Sequence, residues 1–311
     1  MDMSLVVFQP TAKMTYDAIV ECDKLGVQGV WVPSVPLSFD PIALISALAT
    51  STKNIQLGTG IVLVYTRHPL AMATEALAVG ELAPGRIRLG LGSSHPFIIE
   101  GMYGLDFGKP VTYMKEYITV LRQMLWDGAV DFEGEYFQVH GAPMLPTTPP
   151  QTPIFLAALR EPMFRLGGEM SDGILSGWAP LSYVLSIAKP AIKTSADAVN
   201  RPVPPAIASP AIIWHEDREI AKQVGQQAIS MYLQAPFYID MFAKAGYTAN
   251  NGMISDDLFD DLFIYGTPNQ IGDRIHEVSQ SGVDGLMLKV ETVENPVTEF
   301  LAVARLVAAM R

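Results

Sequence analysis

The fold class that the sequence predicts is α/β, a (β/α)8 TIM barrel with hairpin and helical insertions, and three observations carry it. Short β-branched apolar runs alternate with longer segments of helical period from one end of the chain to the other. There are about eight such runs, the number that closes a barrel. The 311 residues are 49% apolar and only 17% charged, which supplies one large core and carries no compositional sign of disorder. Residues 1–311 are therefore read as a single domain.

In chain order the strand-like runs are SLVVF (4–8), GVWV (29–32), IQLGTGIVLV (55–64), IRLGLG (87–92), IFLAAL (154–159), GILSG (173–177), AIASPAIIW (206–214) and GLMLKV (285–290). Helical segments fall between them, at 15–25, 40–50, 69–82, 111–126, 162–170 and 296–310. One helix start is spelled out by GTPNQIGDRIHEV, with Thr267 as N-cap and Pro268 in the first turn. Two stretches break the rhythm. AVDFEGEYFQV (129–139) alternates around Gly134-Glu135 and reads as a hairpin, followed by the proline-rich APMLPTTPPQTP. Residues 234–263 read as a helical excursion whose acidic residues Asp256, Asp257, Asp260 and Asp261 form a solvated face.

Composition narrows the function. A net charge of −11, with no Lys/Arg-rich run, argues against nucleic acid as a partner. The first residues lack the pattern of a signal peptide, and no apolar stretch is long enough to span a bilayer, so the expected location is cytoplasmic, with no membrane partner. The single cysteine, Cys22, reads as a small buried hydrophobe, and no spacing suggests a metal site.

In a barrel of this kind the reactive residues belong at the C-terminal ends of the strands. Five consecutive strand ends carry PSVPLS, YTRHP, GLGSSHPFIIEGMYG, AALREP and SGWAP, each rich in Gly, Ser or an isolated His, Arg or Trp. AALREP has two readings: an ordinary tight turn with Pro162 opening a helix, or a helix N-terminus whose free N–H groups around Leu159 to Glu161 form an anion site. GTGIVLVYTRHP (58–69) also has two, since Gly58 and Gly60 inside an apolar strand permit either close packing or a bulge.

Taken together, FQP, GVWVPS, IQLGTGIVLVYTRHP, GRIRLGLGSSHPFIIEGMYG, PIFLAALREPMFRLGGEMSDGIL and YGTPNQIGDRI resemble the luciferase-like monooxygenase superfamily, and within it the branch that uses the deazaflavin coenzyme F420. The resemblance covers nearly the whole chain in order. It implies a cofactor ring lying in the barrel mouth and a non-proline cis peptide between Gly60 and Ile61, with Gly60, Ile61 and Val62 as the backstop of the ring. Ser34 would lie near the edge of the ring. Gly92, Ser93 and Ser94 would contact ring or ribityl chain, and Ala157, Ala158, Leu159, Arg160 and Glu161 would hold the phosphate. The resemblance further implies hydride transfer at deazaflavin C5 to or from an organic substrate, and a homodimer.

Tyr65, Phe97 and Trp178 are the candidate substrate contacts, and the apolar mouth suggests a hydrophobic small molecule. His95 and Glu100 are the candidate proton donors or acceptors. The residues alone equally allow His95 to fix its own loop and Glu100 to pair with Arg67 or Arg86. Some relatives carry an Asp-His pair after the second strand; Ser34 and Val35 stand there, which argues against alcohol oxidation by that base. Two other functions stay open, an FMN-dependent monooxygenase and a cofactor-binding barrel without catalysis.

Overall fold

Eight strand positions close into a ring in the computed structural model, which describes residues 1–142, 150–248 and 252–310. The strands are β1 (Asp2–Val6), β2 (Gly29–Val32), β3 (Gln56–Thr59), β4 (Val62–Leu63), β5 (Ile87–Gly92), β6 (Val130–Glu133), β7 (Gln138–Gly141), β8 (Ile154–Ala157), β9 (Gly173–Gly177), β10 (Ala206–Ser209), β11 (Ala211–Ile213), β12 (Phe263–Tyr265) and β13 (Gly285–Glu291). The ring runs β1, β2, β3, β5, β8, β9, β10, β13, and β13 pairs back onto β1. All of these pairings are parallel, and helices intervene between the strands. The eight runs read from the sequence supply the eight staves of a TIM barrel.

Two runs are split. The third becomes β3 and β4, and the seventh breaks at Pro210, which has no N–H to give the ladder, into β10 and β11. The sequence reading missed β12, three residues paired only with β11 and too short to show a period.

The hairpin is present, with β6 antiparallel to β7. Its turn is held from the helix Pro110–Arg122, where the Glu116 carboxylate accepts the N–H groups of Glu135, Tyr136 and Phe137. Of the proline-rich stretch that follows, residues 143–149 lie outside the described residues. The second insertion forms the helices Pro236–Lys244 and Asp256–Leu262, and a turn, Tyr232–Gln234, leads into it. Its acidic residues are not simply solvated. Asp256 and Asp260 pair with Arg218, and Asp261 accepts from the Tyr247 hydroxyl and the Leu181 amide.

Trp31, Phe155, Leu175, Ile207 and Met287 fill the barrel axis, with Val6 and Ile61 packed against them. Gly58 lies opposite Trp31 in the β2–β3 ladder, and a Cβ there would sit 2.7 Å from Trp31 Cζ3. The indole fills space that only glycine leaves open.

Beyond that layer β3 carries one extra residue. Gly58 pairs with Arg88, but Val62 pairs with Leu91, so three residues of one strand face two of the other. The Gly60–Ile61 peptide within this bulge is cis. Thr59 replaces the missing ladder: its Oγ1 accepts from Gly90 N at 2.9 Å and donates to Gly90 O at 2.8 Å. Gly60 N donates to Val32 O, and Ser34 N donates to Ile61 O, which ties the bulge to the end of β2.

Thr59→Val keeps the shape of the side chain and strips both partners from a buried backbone unit. A loss of about 1–3 kcal/mol in urea unfolding is expected; a variant as stable as the parent would show that Gly90 finds other partners.

Candidate active site

The C-terminal ends of the strands form an asymmetric mouth. From the bulge before β4 and along β5, β8 and β9 the inward positions are Ile61, Gly92, Ala157 and Gly177. A Cβ on Gly92 would collide with Ile61 Cδ1 and lie 3.2 Å from Ala157 Cβ, so these three form one continuous surface. A Cβ on Gly177 would meet nothing within 4 Å. Gly60, Ile61, Ala157 and Gly177 are all half-buried between fully buried neighbours, and the result is an open floor without projecting side chains.

Serines border this floor. Ser34, Ser93 and Ser94 are half-buried, and Ser94 has φ 59, a left-handed backbone rare for residues other than glycine. Val62 does not face the mouth. It is buried in the layer between sheet and helices, so it can offer the site only its backbone.

Beside the floor begins the helix Glu161–Met170, with Arg160 as its N-cap. Ala158 N is committed to Leu175 O, so its amide belongs to the sheet. The N–H groups of Leu159, Arg160 and Glu161 have no protein acceptor among the described residues, which leaves three donors at a helix start. Arg160 does not pair with Glu161. Its guanidinium lies 4.1 Å from the centre of the Phe237 ring, while Glu161 pairs with Arg165.

The other half of the mouth is aromatic. His95 stacks on Phe97, with centroids 5.5 Å apart, and lies 5.8 Å from Tyr238 and 6.3 Å from Tyr232. Tyr232 also packs 5.9 Å from Trp178, whose φ of 55 is again left-handed. Phe97 is 49% exposed, whereas Trp178 is nearly covered. Burial pushes the His95 imidazole below its ordinary pKa and the Tyr232 hydroxyl above its own, so both are neutral near pH 7.

Two expected site residues stand elsewhere. Tyr65 is buried at 8% exposure, stacked between Phe107 and Tyr113, and its hydroxyl donates to Phe107 O, so it supports the wall from behind. Glu100 is exposed at the end of the short helix Pro96–Ile99. It does not pair with Arg67, which is held by Asp40 and Glu75, or with Arg86, which donates to Thr52, Ala49 and Ile55.

The sequence reading missed Tyr232, Phe237 and Tyr238, because they lie in the second insertion or the turn that leads into it, where no strand end marks a residue as facing the mouth. It also missed Lys289 and Glu291, although the alternation of GLMLKVE puts both on the face of Met287.

A closed parallel barrel with a bare floor and a polar, aromatic rim at the C-terminal strand ends is a ligand-binding α/β barrel of the enzyme type. Within that class the chain belongs to the luciferase-like monooxygenase family, whose sequence profile matches residues 5–285. It is 28% identical over 302 residues to the 5,10-methylenetetrahydromethanopterin reductase of Methanolobus tindarius, covering 90% of this chain and 91% of that one. Among solved structures it is similar to an F420-dependent secondary alcohol dehydrogenase in complex with an F420-acetone adduct, with TM-score 0.84, 16% identity and 100% and 99% of the two chains covered. It is also similar to the oxygenating constituent of 3,6-diketocamphane monooxygenase of Pseudomonas putida in complex with FMN, with TM-score 0.74, 18% identity and 99% and 98% covered.

Because the folded chain disfavours the His95 imidazolium, the unfolded chain takes up that proton first as pH falls. The stability linked to this group is fully present above about pH 6.5 and declines below it, until the folded state is protonated too. The melting temperature of the parent should therefore drop more between pH 7 and pH 5 than that of His95→Gln; parallel profiles would contradict the burial of His95.

Proposed function

We propose that this protein is a coenzyme F420-dependent oxidoreductase that exchanges a hydride with an apolar organic substrate. The observation that carries the reading is the floor of Ile61, Gly92, Ala157 and Gly177, set beside three free backbone N–H groups. That arrangement fits a flat tricyclic ring with a phosphate on its tail: the floor offers no side chain to obstruct a plane, and a helix start suits an anion. The relatedness to the reductase and the likeness to the F420-dependent dehydrogenase support it.

When bound, the deazaflavin supplies hydride exchange at its C5 position. The chain's own residues do the rest. Ile61 supports one face of the ring, with Gly60 and the backbone of Val62 shaping the bulge beneath it. Gly92 keeps the floor low, and Ser34, Ser93 and Ser94 supply hydrogen bonds at the edge. Ala157 and Ala158 lead the chain to the amides of Leu159, Arg160 and Glu161, which hold the phosphate with the Arg160 charge nearby. Phe97 and Trp178 face the substrate and exclude water from it. His95, neutral and held in an aromatic cluster, shapes that side of the mouth, and Tyr65 stiffens its wall. Glu100, exposed at the rim, is the remaining candidate for proton exchange with solvent. The assembly proposed is a homodimer located in the cytoplasm. No helix among the described residues is long and apolar enough to cross a membrane.

The FMN-bound neighbour keeps one rival in view, a flavin-dependent monooxygenase that would use the same mouth. Titration of the protein with each cofactor separates the two readings. Quenching of F420 fluorescence at low micromolar concentration, with FMN binding at least tenfold weaker, is expected; tight binding of FMN alone would overturn the proposal. A protein that binds reduced F420 but oxidises it with no enone, imine or quinone would be a binder only.

One substitution tests the floor. Gly177→Leu enters open space and should leave the melting temperature unchanged, yet weaken F420 binding at least tenfold, or about 1.4 kcal/mol. Unchanged affinity would place the ring elsewhere.

A further inference from the structure

Lys289 and Glu291 lie on the last stave, on the same face as Met287, and alternation aims both into the mouth above the filled axis. The Lys289 ammonium sits 4.3 Å from the centre of the Trp178 ring and 2.5 Å from Glu291 Oε1. Glu291 is mostly covered, and Lys289 is about one-third exposed. Trp178 packs against Tyr232, and Tyr232 against Tyr238 at 4.7 Å, so the ion pair ends an aromatic wall contributed by the loop after β9 and the segment around Tyr232 and Tyr238. In the ring β13 lies four places from β5, so this pair stands across the mouth from Gly92 and the bare floor around it.

We propose that Lys289, neutralised by Glu291, is the polar end of the substrate site and that the ligand it receives is an uncharged conjugated ketone. An ammonium carries three N–H groups. Beyond Glu291, Lys289 has no acceptor among the described residues, so donors remain for a ligand oxygen. The charge balance selects the class. The pair is neutral as a unit, and Tyr232 is held protonated by burial. A ligand carboxylate on Lys289 would share that one ammonium with Glu291 and leave the cluster with a net negative charge, while a ketone takes the same hydrogen bond without adding charge. The aromatic wall favours a flat, conjugated body attached to that oxygen. The proposal deepens the oxidoreductase reading in taking this ligand as the substrate, but the contact itself involves only residues of the chain.

Two probes of equal shape decide it: benzylideneacetone, an aryl enone, and trans-cinnamate, its carboxylate counterpart. Each is titrated calorimetrically at pH 7 into the protein alone and into protein saturated with oxidised F420, where no turnover occurs. The parent should bind the enone at least tenfold more tightly than cinnamate. Lys289→Met should weaken the enone at least tenfold, with Lys289→Arg restoring most of the loss. Glu291→Gln, which removes the opposing charge, should improve cinnamate at least tenfold. Variants with the parent's melting temperature and F420 quenching count as folded, and if Lys289→Met is not folded the Glu291→Gln comparison decides. Equal enone affinity in Lys289→Met, or cinnamate preferred by the parent, would overturn the proposal. Failure of the parent to bind F420 would instead remove the cofactor reading, and the titrations without cofactor would still decide the role of Lys289.

Discussion

The hydroxyl of Thr59, bonded to both backbone groups of Gly90, is the interaction on which the site depends. A strand with one surplus residue loses register with its neighbour, and buried backbone groups left unpaired there are costly. Thr59 bridges the gap at the point of slippage, so β4 can rejoin β5 one residue out of step. The surplus lifts Ile61 across Gly92 and turns its carbonyl toward Ser34 N. The end of β2, the bulge and β5 thereby form one rigid unit.

Division of labour around the mouth follows from that unit. The side built on it is bare and apolar, a surface against which a plane can rest. The opposite side is assembled from Trp178 in the loop after β9, from β13 and from the segment around Tyr232 and Tyr238, and it holds the aromatic rings and the Lys289–Glu291 pair. Polar groups on one side and a blank surface on the other give the mouth two faces of different chemistry, which is what the proposed pairing of a flat cofactor with an organic substrate requires.

The second insertion shows why its residues were invisible in advance. Tyr232 belongs to a short turn and Tyr238 to a short helix, neither of which follows a barrel strand directly, and their aromatic side chains look the same as core residues on a helix. Asp261, which reads as one more solvated acid, ties this segment to the loop after Trp178 through the Leu181 amide. Such contacts are between elements distant in the chain, and only the fold brings them together.

The sequence by itself determined the eight staves, the hairpin and the positions of the strand ends, because parallel strands and helices leave local periodic patterns and glycine and proline punctuate them. The two glycines of the third strand left close packing and a bulge open, and it was the family resemblance that pointed to Gly60–Ile61. Tertiary structure decided which of the polar residues at those ends share the site. Tyr65 and Val62 lie next to the bulge in sequence yet turn toward the helices, while Lys289, more than 220 residues further on, reaches into the mouth. The reason is geometric: ring closure brings β13 beside β1, and the direction of a side chain at a strand end follows from register and bulge, which are properties of the paired strands and not of either sequence alone.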